Sequence, residues 1–157
     1  MITITLPNGQ QYSLTNAVFD YNGTLAEDGI LAAGVKELLE ELVTKINVSV
    51  LTADTFGLAR AQLESVKGIN LKIVEKGNEA SQKREFIESC GKESTICFGN
   101  GANDIAMFGE ATLAVAVIGA EGAYQPTIAQ ADIVVTNPRN AILLLLKPTR
   151  MVATLRV

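Results

Sequence analysis

Histidine is absent from the 157-residue chain, and this absence is the most restrictive feature of its composition. A Ser-His-Asp triad, a Cys-His dyad, a histidine-containing zinc motif and a phosphohistidine carrier are all excluded, because each of them needs an imidazole. Any chemistry must therefore depend on carboxylates, hydroxyls, amides, lysine and a hard metal ion.

Cysteine and long apolar segments are also scarce. Cys90 and Cys97 are the two cysteines, which is too few for a disulfide framework and the wrong spacing for a zinc site. They are typical of free thiols in a reducing compartment, so we expect a cytoplasmic protein. The N-terminal residues show no signal-peptide pattern. The longest apolar run, 141–146, is far short of the roughly 20 residues of a membrane span, so no membrane contact is expected.

Positive charge is in slight deficit. The chain has 13 Lys and Arg against 17 Asp and Glu, which gives a net charge of -4. An acidic chain without a basic run is poorly suited to nucleic acid, so no nucleic-acid partner is expected. A hydrophobic share of 48% and a length of 157 residues favour one folded domain, 1–157, with a core of its own.

Two kinds of apolar pattern divide the chain. Apolar and polar residues alternate on both sides of Asn8-Gly9, a dipeptide that suits a tight turn, and this predicts a β-hairpin over 1–15. From residue 16 onward, continuous apolar runs alternate with amphipathic segments, as in strands buried on both faces of a parallel sheet. The runs are 17–19, 48–51, 71–74, 95–98, 113–118 and 133–135, and the helical patterns span 34–45, 58–66 and 80–90.

The alternation of strands and helices predicts an α/β fold. We expect a three-layer, doubly wound, Rossmann-like and mostly parallel sheet over 16–157, with the hairpin before it. Such folds bind ligands at the carboxyl ends of their strands, near the point where the strand order reverses. Small polar residues follow three predicted strands, at 20–24, 52–54 and 99–104, so these segments are the candidate site.

The residue types in these segments suit phosphoryl transfer. The Asp20 carboxylate can attack phosphorus and bind a hard cation, and the Thr52 hydroxyl can contact a phosphoryl oxygen. Lys83, in the third helical segment, can neutralise charge, although Lys76 and Arg84 are close in sequence and stay as alternatives. Oxygen ligands for Mg²⁺ are available between 100 and 104. Phosphoryl transfer depends mainly on positioning and charge neutralisation, and it needs no histidine.

The same segments resemble the four motifs of the haloacid dehalogenase superfamily of phosphotransferases, in the family's order. Residues 19–25 (FDYNGTL) are similar to the first motif, 50–52 to the second, Lys83 to the third and 99–104 (GNGAND) to the fourth. Within that superfamily the chain looks most like a free-standing, soluble relative of the phosphorylation domain of P-type ATPases.

The resemblance implies a Mg²⁺-dependent phosphatase-like hydrolase that acts through an aspartyl-phosphate. Its substrate would be phosphorylated, and ATP is one candidate donor. The implied catalytic residues are Asp20, Asn22, Thr52 and Lys83. The implied metal ligands are Asp20, Asn22, Asn100 and Asp104, and the implied substrate-binding residues are Tyr21, Gly23, Thr24, Ala53, Asp54 and Asn103.

Two amides depart from the family pattern. Asn22 stands where the phosphatases carry an acid-base aspartate, and an amide cannot exchange a proton at neutral pH. Because general acid–base catalysis contributes about 10²–10⁴-fold, we expect a slow hydrolase with a long-lived phosphoenzyme. Asn100 stands where the family usually has a metal-ligating aspartate, which predicts weaker Mg²⁺ binding and makes Asp104 the expected acidic ligand.

The spacing of the motifs leaves no room for a large cap domain, so the chain resembles capless members with open sites. In such members a neighbouring subunit can cover the site, which makes a homo-oligomer a reasonable expectation. Two alternatives to an enzyme stay open. One is a catalytically silent phosphate-binding or regulatory module, which the two amides favour. The other is a signalling receiver domain, although receivers need an acidic pair after their first strand.

Overall fold

The computed structural model describes residues 1–157, which form ten strands and seven α-helices. The strands are β1 (Ile2–Thr5), β2 (Gln11–Leu14), β3 (Asn16–Asp20), β4 (Ala26–Glu27), β5 (Ile30–Leu31), β6 (Asn47–Thr52), β7 (Ile69–Ile73), β8 (Thr95–Gly99), β9 (Leu113–Val117) and β10 (Ile133–Val135). The helices are α1 (Val35–Leu42), α2 (Ala59–Leu63), α3 (Glu79–Cys90), α4 (Ile105–Glu110), α5 (Gln125–Gln130), α6 (Pro138–Leu146) and α7 (Thr149–Leu155). None of the helices combines the length and the apolar character that crossing a bilayer requires.

Six of the strands form a parallel sheet in the order β10-β9-β8-β3-β6-β7. The chain runs outward from β3 through β6 to β7, and then returns to β8 on the other side of β3. The strand order therefore reverses between β3 and β8. The predicted doubly wound sheet is confirmed, as is the antiparallel N-terminal hairpin of β1 and β2.

The outer strands differ from the sequence expectation. We predict burial on both faces for every apolar run, and this is correct for β8 and β9, which are buried throughout. In the edge strands β7 and β10, however, Ile73 is 42% exposed and Val134 is 43% exposed. An edge strand has a neighbour on one side alone, so its outer positions meet solvent even when they are apolar.

Side chains of the sheet alternate between a large core and a small one, because successive residues of a strand point to opposite faces. In β3, Ala17 and Phe19 join a core of 29 buried residues that includes the apolar faces of α1 and α6. Val18 joins a core of 8 residues that includes residues of α3 and α4. The rings of Phe19 and Phe98 stack with their centroids 4.3 Å apart, which fixes β3 against β8 near the switch point.

A short hairpin of β4 and β5 follows β3, and the sequence patterns do not predict it. Its turn residues Asp28 and Gly29 both have positive φ angles, 50° and 82°, as a two-residue hairpin turn of this type requires. Two hydrogen bonds hold this turn: the Tyr21 hydroxyl donates to the Gly29 carbonyl at 2.9 Å, and the Asp28 N–H donates to Glu121 at 2.9 Å. The hairpin is too small to form a cap.

Candidate active site

A polar cavity of about 440 Å³ opens at the carboxyl ends of β3, β6 and β8. This is the edge of the sheet where ligands bind in doubly wound folds, beside the reversal of strand order. The cavity is lined by Asp20, Asn22, Thr52, Ala53, Thr55, Glu79, Asn100, Gly101, Ala102 and Asn103. All three polar segments that the sequence singles out therefore meet at one place.

Asp20, Lys83 and Asp104 form a buried ionic cluster at the base of the cavity, which we call the ion triad. The Lys83 Nζ donates to Asp20 Oδ1 at 2.6 Å and to Asp104 Oδ1 at 2.7 Å. Lys83 and Asp104 are almost fully enclosed, and Asp20 alone also reaches the cavity. Of the three cations that the sequence leaves open, Lys83 is the one that contacts Asp20, since Lys76 is exposed and Arg84 lies near Glu88.

The triad carries two negative charges and one positive charge, and this imbalance shifts its titration. Burial raises the pKa of the Asp20 carboxyl from 3.8 to about 6, and the neighbouring Asp104 charge adds to the rise while Lys83 opposes it. Burial alone would lower the pKa of Lys83, but the charges of Asp20 and Asp104 raise it above its usual value. Lys83 is therefore a permanent cation, and Asp20 is ionised at neutral pH.

Thr24 and Gly23 position the neighbouring side chains and do not reach the cavity. The buried Thr24 hydroxyl lies 3.1 Å from Asp20 Oδ2 and 3.3 Å from Asn100 Oδ1. Gly23 has a φ of 79°, and a β-carbon there would collide with the Asn100 side chain. Its N–H donates to the Ala26 carbonyl at 2.8 Å. The predicted contacts of both residues with substrate therefore need correction, because both are used inside the protein.

Tyr21 also requires correction as a predicted substrate-binding residue, whereas substrate binding by Asp54 stays a prediction. The Tyr21 side chain is fully buried in the large core, where burial raises its pKa to about 12. Asp54 does not line the cavity, and its Oδ1 accepts the N–H of Ala59 at 2.9 Å, at the first residue of α2. Asp54 thus satisfies one of the free N–H groups that every helix start presents.

Thr52 keeps its hydroxyl hydrogen available for a ligand. Its Oγ1 accepts the N–H of Asp54 at 2.9 Å, and it donates no hydrogen bond within the protein. A hydroxyl has one donor and two acceptor sites, so the free hydrogen can be offered to a phosphoryl oxygen in the cavity. Ala53 follows it on the cavity wall.

Asp104 is enclosed by donors and does not face the cavity. While its Oδ1 contacts Lys83, its Oδ2 accepts the N–H groups of Asn100 and Gly101 at 3.0 and 2.9 Å. Its exposed fraction is zero. The prediction that Asp104 is a metal ligand therefore needs correction: the carboxylate holds the 100–104 loop and the lysine in place.

Three amide side chains line the cavity above the triad, and we call Asn22, Asn100 and Asn103 the amide rim. The Asn100 Nδ2 donates to the Gly122 carbonyl at 3.2 Å, which turns its Oδ1 toward Thr24. Because Thr24 has one hydroxyl hydrogen and lies closer to Asp20, the Asn100 oxygen has no strong donor of its own. Asn103 is exposed at the mouth.

The Asn22 side-chain oxygen is buried and has no hydrogen-bond partner. Such atoms are rare in folded proteins and call for an explanation, for example an absent ion. Mg²⁺ prefers oxygen ligands, often uses one or two carboxylates, and keeps several waters. Asp20, the unsatisfied oxygen of Asn22 and the weakly bonded oxygen of Asn100 fit that requirement, although no group of three or more acidic side chains surrounds the position.

Two cavity residues, Thr55 and Glu79, lie outside the segments that the sequence singles out. Glu79 is the informative omission, because it lies one helical turn before Lys83 in α3. Residues four apart on a helix share a face, so the position of Lys83 was a signal that could have located Glu79. Thr55 carries no comparable signal.

These features define an α/β protein with a polar site at the strand-order switch. A model of the haloacid dehalogenase-like hydrolase family matches residues 35–143, a range that contains Thr52, Lys83 and the 99–104 loop. The chain belongs to this family, and it is a haloacid dehalogenase-like hydrolase. The resemblance inferred from the motifs is thereby confirmed, and the receiver alternative is excluded.

A sequence relative and several solved structures are similar to the chain. An uncharacterized protein of Methanocaldococcus jannaschii is 40% identical over 84 residues, which cover 51% of this chain and 90% of that protein. The cobalt-bound deoxy-D-mannose-octulosonate 8-phosphate phosphatase of Haemophilus influenzae has a TM-score of 0.69 at 15% identity, covering 90% of this chain and 92% of that one.

Two further structures share the fold. The 3-deoxy-D-manno-octulosonate 8-phosphate phosphatase of Moraxella catarrhalis, in complex with a magnesium ion, a phosphate ion and a KDO molecule, has a TM-score of 0.67 at 14% identity and covers 89% of this chain and 90% of that one. A phosphoserine phosphatase with an analogue of its phospho-aspartyl intermediate has a TM-score of 0.63 at 18% identity, covering 83% and 98%. At these identities the structures establish the shared fold.

Proposed function

We propose that the protein is a Mg²⁺-dependent phosphomonoesterase that acts through an aspartyl-phosphate on Asp20. The observation that carries the proposal is that Asp20 is the one member of the ion triad that also lines the cavity. Lys83 keeps this carboxylate ionised near neutral pH and fixes its position. The phospho-aspartyl analogue in a phosphatase of the same fold supports the assignment.

The reaction consists of two displacements at phosphorus. A carboxylate oxygen of Asp20 forms a bond to phosphorus as the bond to the ester oxygen breaks, which releases an alcohol after that oxygen takes a proton. A water molecule then attacks the phosphorus of the aspartyl-phosphate, which releases inorganic phosphate and regenerates the carboxylate. Thr52 donates its free hydroxyl hydrogen to a phosphoryl oxygen, and Lys83 offsets the charge of the nucleophile.

Mg²⁺ would be held by Asp20, by the oxygens of Asn22, including its backbone carbonyl, and by Asn100. When bound, the ion supplies neutralisation of the phosphate charge. The unsatisfied Asn22 oxygen supports this ligand set. One carboxylate and two amides form a weakly charged site, so we propose a low affinity for the metal alone.

The amide of Asn22 is the reason why we propose a slow rate of turnover. Its amide neither protonates the departing oxygen nor removes a proton from the attacking water, so both protons are exchanged with solvent. General acid–base catalysis is worth about 10²–10⁴-fold where it is present, and its absence favours slow turnover and an aspartyl-phosphate that persists. Asn103 and Ala53, on the cavity wall, complete the proposed substrate contacts.

A catalytically silent phosphate-binding module is the second candidate, and the amides at 22 and 100 favour it. Such a module would bind a phosphate analogue with Mg²⁺ and would not turn over. Calorimetry with beryllofluoride and MgCl₂, alongside a turnover assay, separates the two candidates. Binding with no hydrolysis of any ester over hours would favour the module.

The test of the enzyme is hydrolysis of p-nitrophenyl phosphate with MgCl₂ or EDTA. We expect release of p-nitrophenol that needs Mg²⁺ and is lost in Asp20→Asn. Asp28→Asn is the matched control, since it removes the same charge at an exposed turn residue outside the cavity. Full activity in Asp20→Asn would overturn the nucleophile assignment, whatever the effect of the metal.

Three further proposals concern the whole chain. We propose that 1–157 is one domain, because α6 and the N-terminal hairpin share the large core with the sheet. A cytoplasmic location is proposed from the two free thiols. A homo-oligomer is proposed from the open cavity, and sedimentation velocity would test it.

A further inference from the structure

The cavity contains negative charge and lacks positive charge. Its ten lining residues include two acids, Asp20 and Glu79, and no lysine or arginine. Lys83 lies beneath the cavity, but it is 1% exposed and already donates to two carboxylates. A phosphorylated substrate therefore meets no cationic side chain on the wall that would pair with a second anionic group.

Glu79 stands at the wall as a half-buried carboxylate with one oxygen free. It is the first residue of α3, and its Oε2 accepts the Gly77 N–H at 3.0 Å, while Oε1 makes no hydrogen bond. The backbone N–H groups of Glu79 and Gly77 favour the charged carboxylate and lower its pKa, so it is ionised at neutral pH. The charges of Lys83 and Lys76 add to this effect, but neither side chain lines the cavity.

We propose that Glu79 selects phosphomonoesters whose leaving group carries a positive charge, such as an ammonium group close to the phosphate. The proposal rests on the proposed function, because it assigns the substrate class of that same cavity. The phosphate would occupy the Asp20 end, and the cationic group would lie against the free Oε1 of Glu79.

The same charges disfavour two other substrate classes. A leaving group with a carboxylate would face Glu79 across the cavity, and like charges at short range repel. A nucleoside triphosphate brings further phosphates, and the cavity wall has no basic side chain to receive them. ATP is therefore a poor fit as the phosphoryl donor, although the motifs alone leave it open.

A purely structural role for Glu79 must be separated from this one. An acid at the start of a helix stabilises it through the helix dipole and free N–H groups, and Glu79 fulfils that role too. Loss of the structural role would change the hydrolysis of all esters by a similar factor. Loss of selection would change the ratio between esters of different charge.

The experiment compares three two-carbon esters whose leaving groups carry a positive charge, no charge and a negative charge: phosphoethanolamine, 2-hydroxyethyl phosphate and phosphoglycolate. The readout is kcat/KM for each ester with MgCl₂ at pH 7.5, in the wild type, Glu79→Gln and Glu79→Lys. The attraction between two opposite unit charges about 4 Å apart in water corresponds to a change of about fivefold in kcat/KM. We expect Glu79→Gln to lower the ratio of the amine ester to the hydroxyl ester about fivefold, and Glu79→Lys to lower it further and to favour phosphoglycolate.

Glu85→Gln is the matched control. Glu85 lies in the same helix, is exposed, and also accepts one hydrogen bond, from Ser81, but it is outside the cavity. Its substitution should leave all three ratios unchanged. If the ratios stay constant in both Glu79 variants while hydrolysis still depends on Asp20, the selection by Glu79 is overturned and the proposed function is not. If no ester is hydrolysed in an Asp20-dependent manner, the proposed function fails and the selection fails with it.

Discussion

The ion triad and the amide rim occupy the base and the wall of one cavity, but they differ in how fully their polar groups are hydrogen-bonded. In the triad every charged group has a hydrogen-bond partner. The Asp104 carboxylate accepts three hydrogen bonds, from Lys83 and from two backbone N–H groups. In the rim, the Asn22 oxygen has no partner and the Asn100 oxygen has a weak one. Because a satisfied buried network is rigid while an unsatisfied group can bind a ligand, the triad should govern stability and the rim should govern what the cavity binds.

Removal of Lys83 should produce the largest effect. Lys83→Met leaves Asp20 and Asp104 buried without a counter-charge, and breaking a buried ion pair in this way costs about 3–5 kcal/mol of unfolding free energy. Urea unfolding followed by circular dichroism measures this loss. Lys72→Met, at an exposed position of β7, should have little effect. Adding Asp104→Asn to Lys83→Met should recover part of the stability, and a double variant no better than the single one would contradict the charge explanation.

An acid in the rim should affect the rate more than the stability. Asn22→Asp supplies the missing proton donor and acceptor, so we expect kcat for p-nitrophenyl phosphate to rise by about 10²-fold. Stopped-flow or steady-state release of p-nitrophenol measures it. Asn103→Asp adds the same charge at the exposed mouth and should not accelerate the reaction. An unchanged or lower kcat in Asn22→Asp would show that Asn22 does not limit proton transfer.

The pH dependence of stability should identify Asp20 as the member of the triad whose ionisation destabilises the folded state. Its pKa is about 6 in the folded protein against the ordinary 3.8, so the folded state keeps this proton to higher pH than the unfolded chain does. The stabilisation from the proton is complete below about pH 4 and is lost as the pH rises through 6. In EDTA, we expect the wild type to lose about 2 kcal/mol from this group by pH 7.

Asp20→Asn is the internal reference for that titration. It cannot ionise, so the difference between its unfolding free energy and that of the wild type isolates the Asp20 contribution from all other acids. The variant should be the more stable protein at pH 7, and the advantage should disappear toward pH 4. A difference that is independent of pH would contradict the raised pKa.

The smallest effect should come from Asn100→Asp, which changes the rim toward the family pattern. A third carboxylate beside Asp20 and Asp104 should cost about 1 kcal/mol in EDTA, because like charges repel at this depth. Saturating Mg²⁺ should restore the stability, since the new carboxylate is a better ligand than the amide. Thermal unfolding with and without MgCl₂ measures both the loss of stability in EDTA and its recovery when the metal is bound. Asn8→Asp, in the N-terminal turn, should show no dependence on the metal.

Much of the fold could be predicted from the sequence because buried parallel strands are continuous apolar runs. The runs locate the six strands, and their polar ends locate the cavity. The β4–β5 hairpin escapes prediction because its strands are two residues long, too short to show a period. The exposed edges of β7 and β10 escape it because strand order is a property of the whole sheet.

The site residues divide in a similar way. Asp20 and Thr52 lie directly after strands, so their place in the cavity follows from topology. Tyr21 could have been excluded, because residues two apart in extended chain share a face and Phe19 points into the large core. The orientation of Asp104 could not have been predicted, since it depends on backbone N–H groups of the 100–101 turn.

The hydrogen bonds that hold the Asp28–Gly29 turn have a kinetic consequence. The Tyr21 hydroxyl ties the turn to the core, and Glu121 ties it to the loop after β9, so the β4–β5 hairpin is held against the rest of the domain and is not a mobile lid for the opening of the cavity. A ligand can enter and leave such an opening without waiting for a lid, a motion that in many enzymes takes microseconds to milliseconds and limits turnover. Product release should then be fast, and the viscosity of the solvent should leave kcat unchanged.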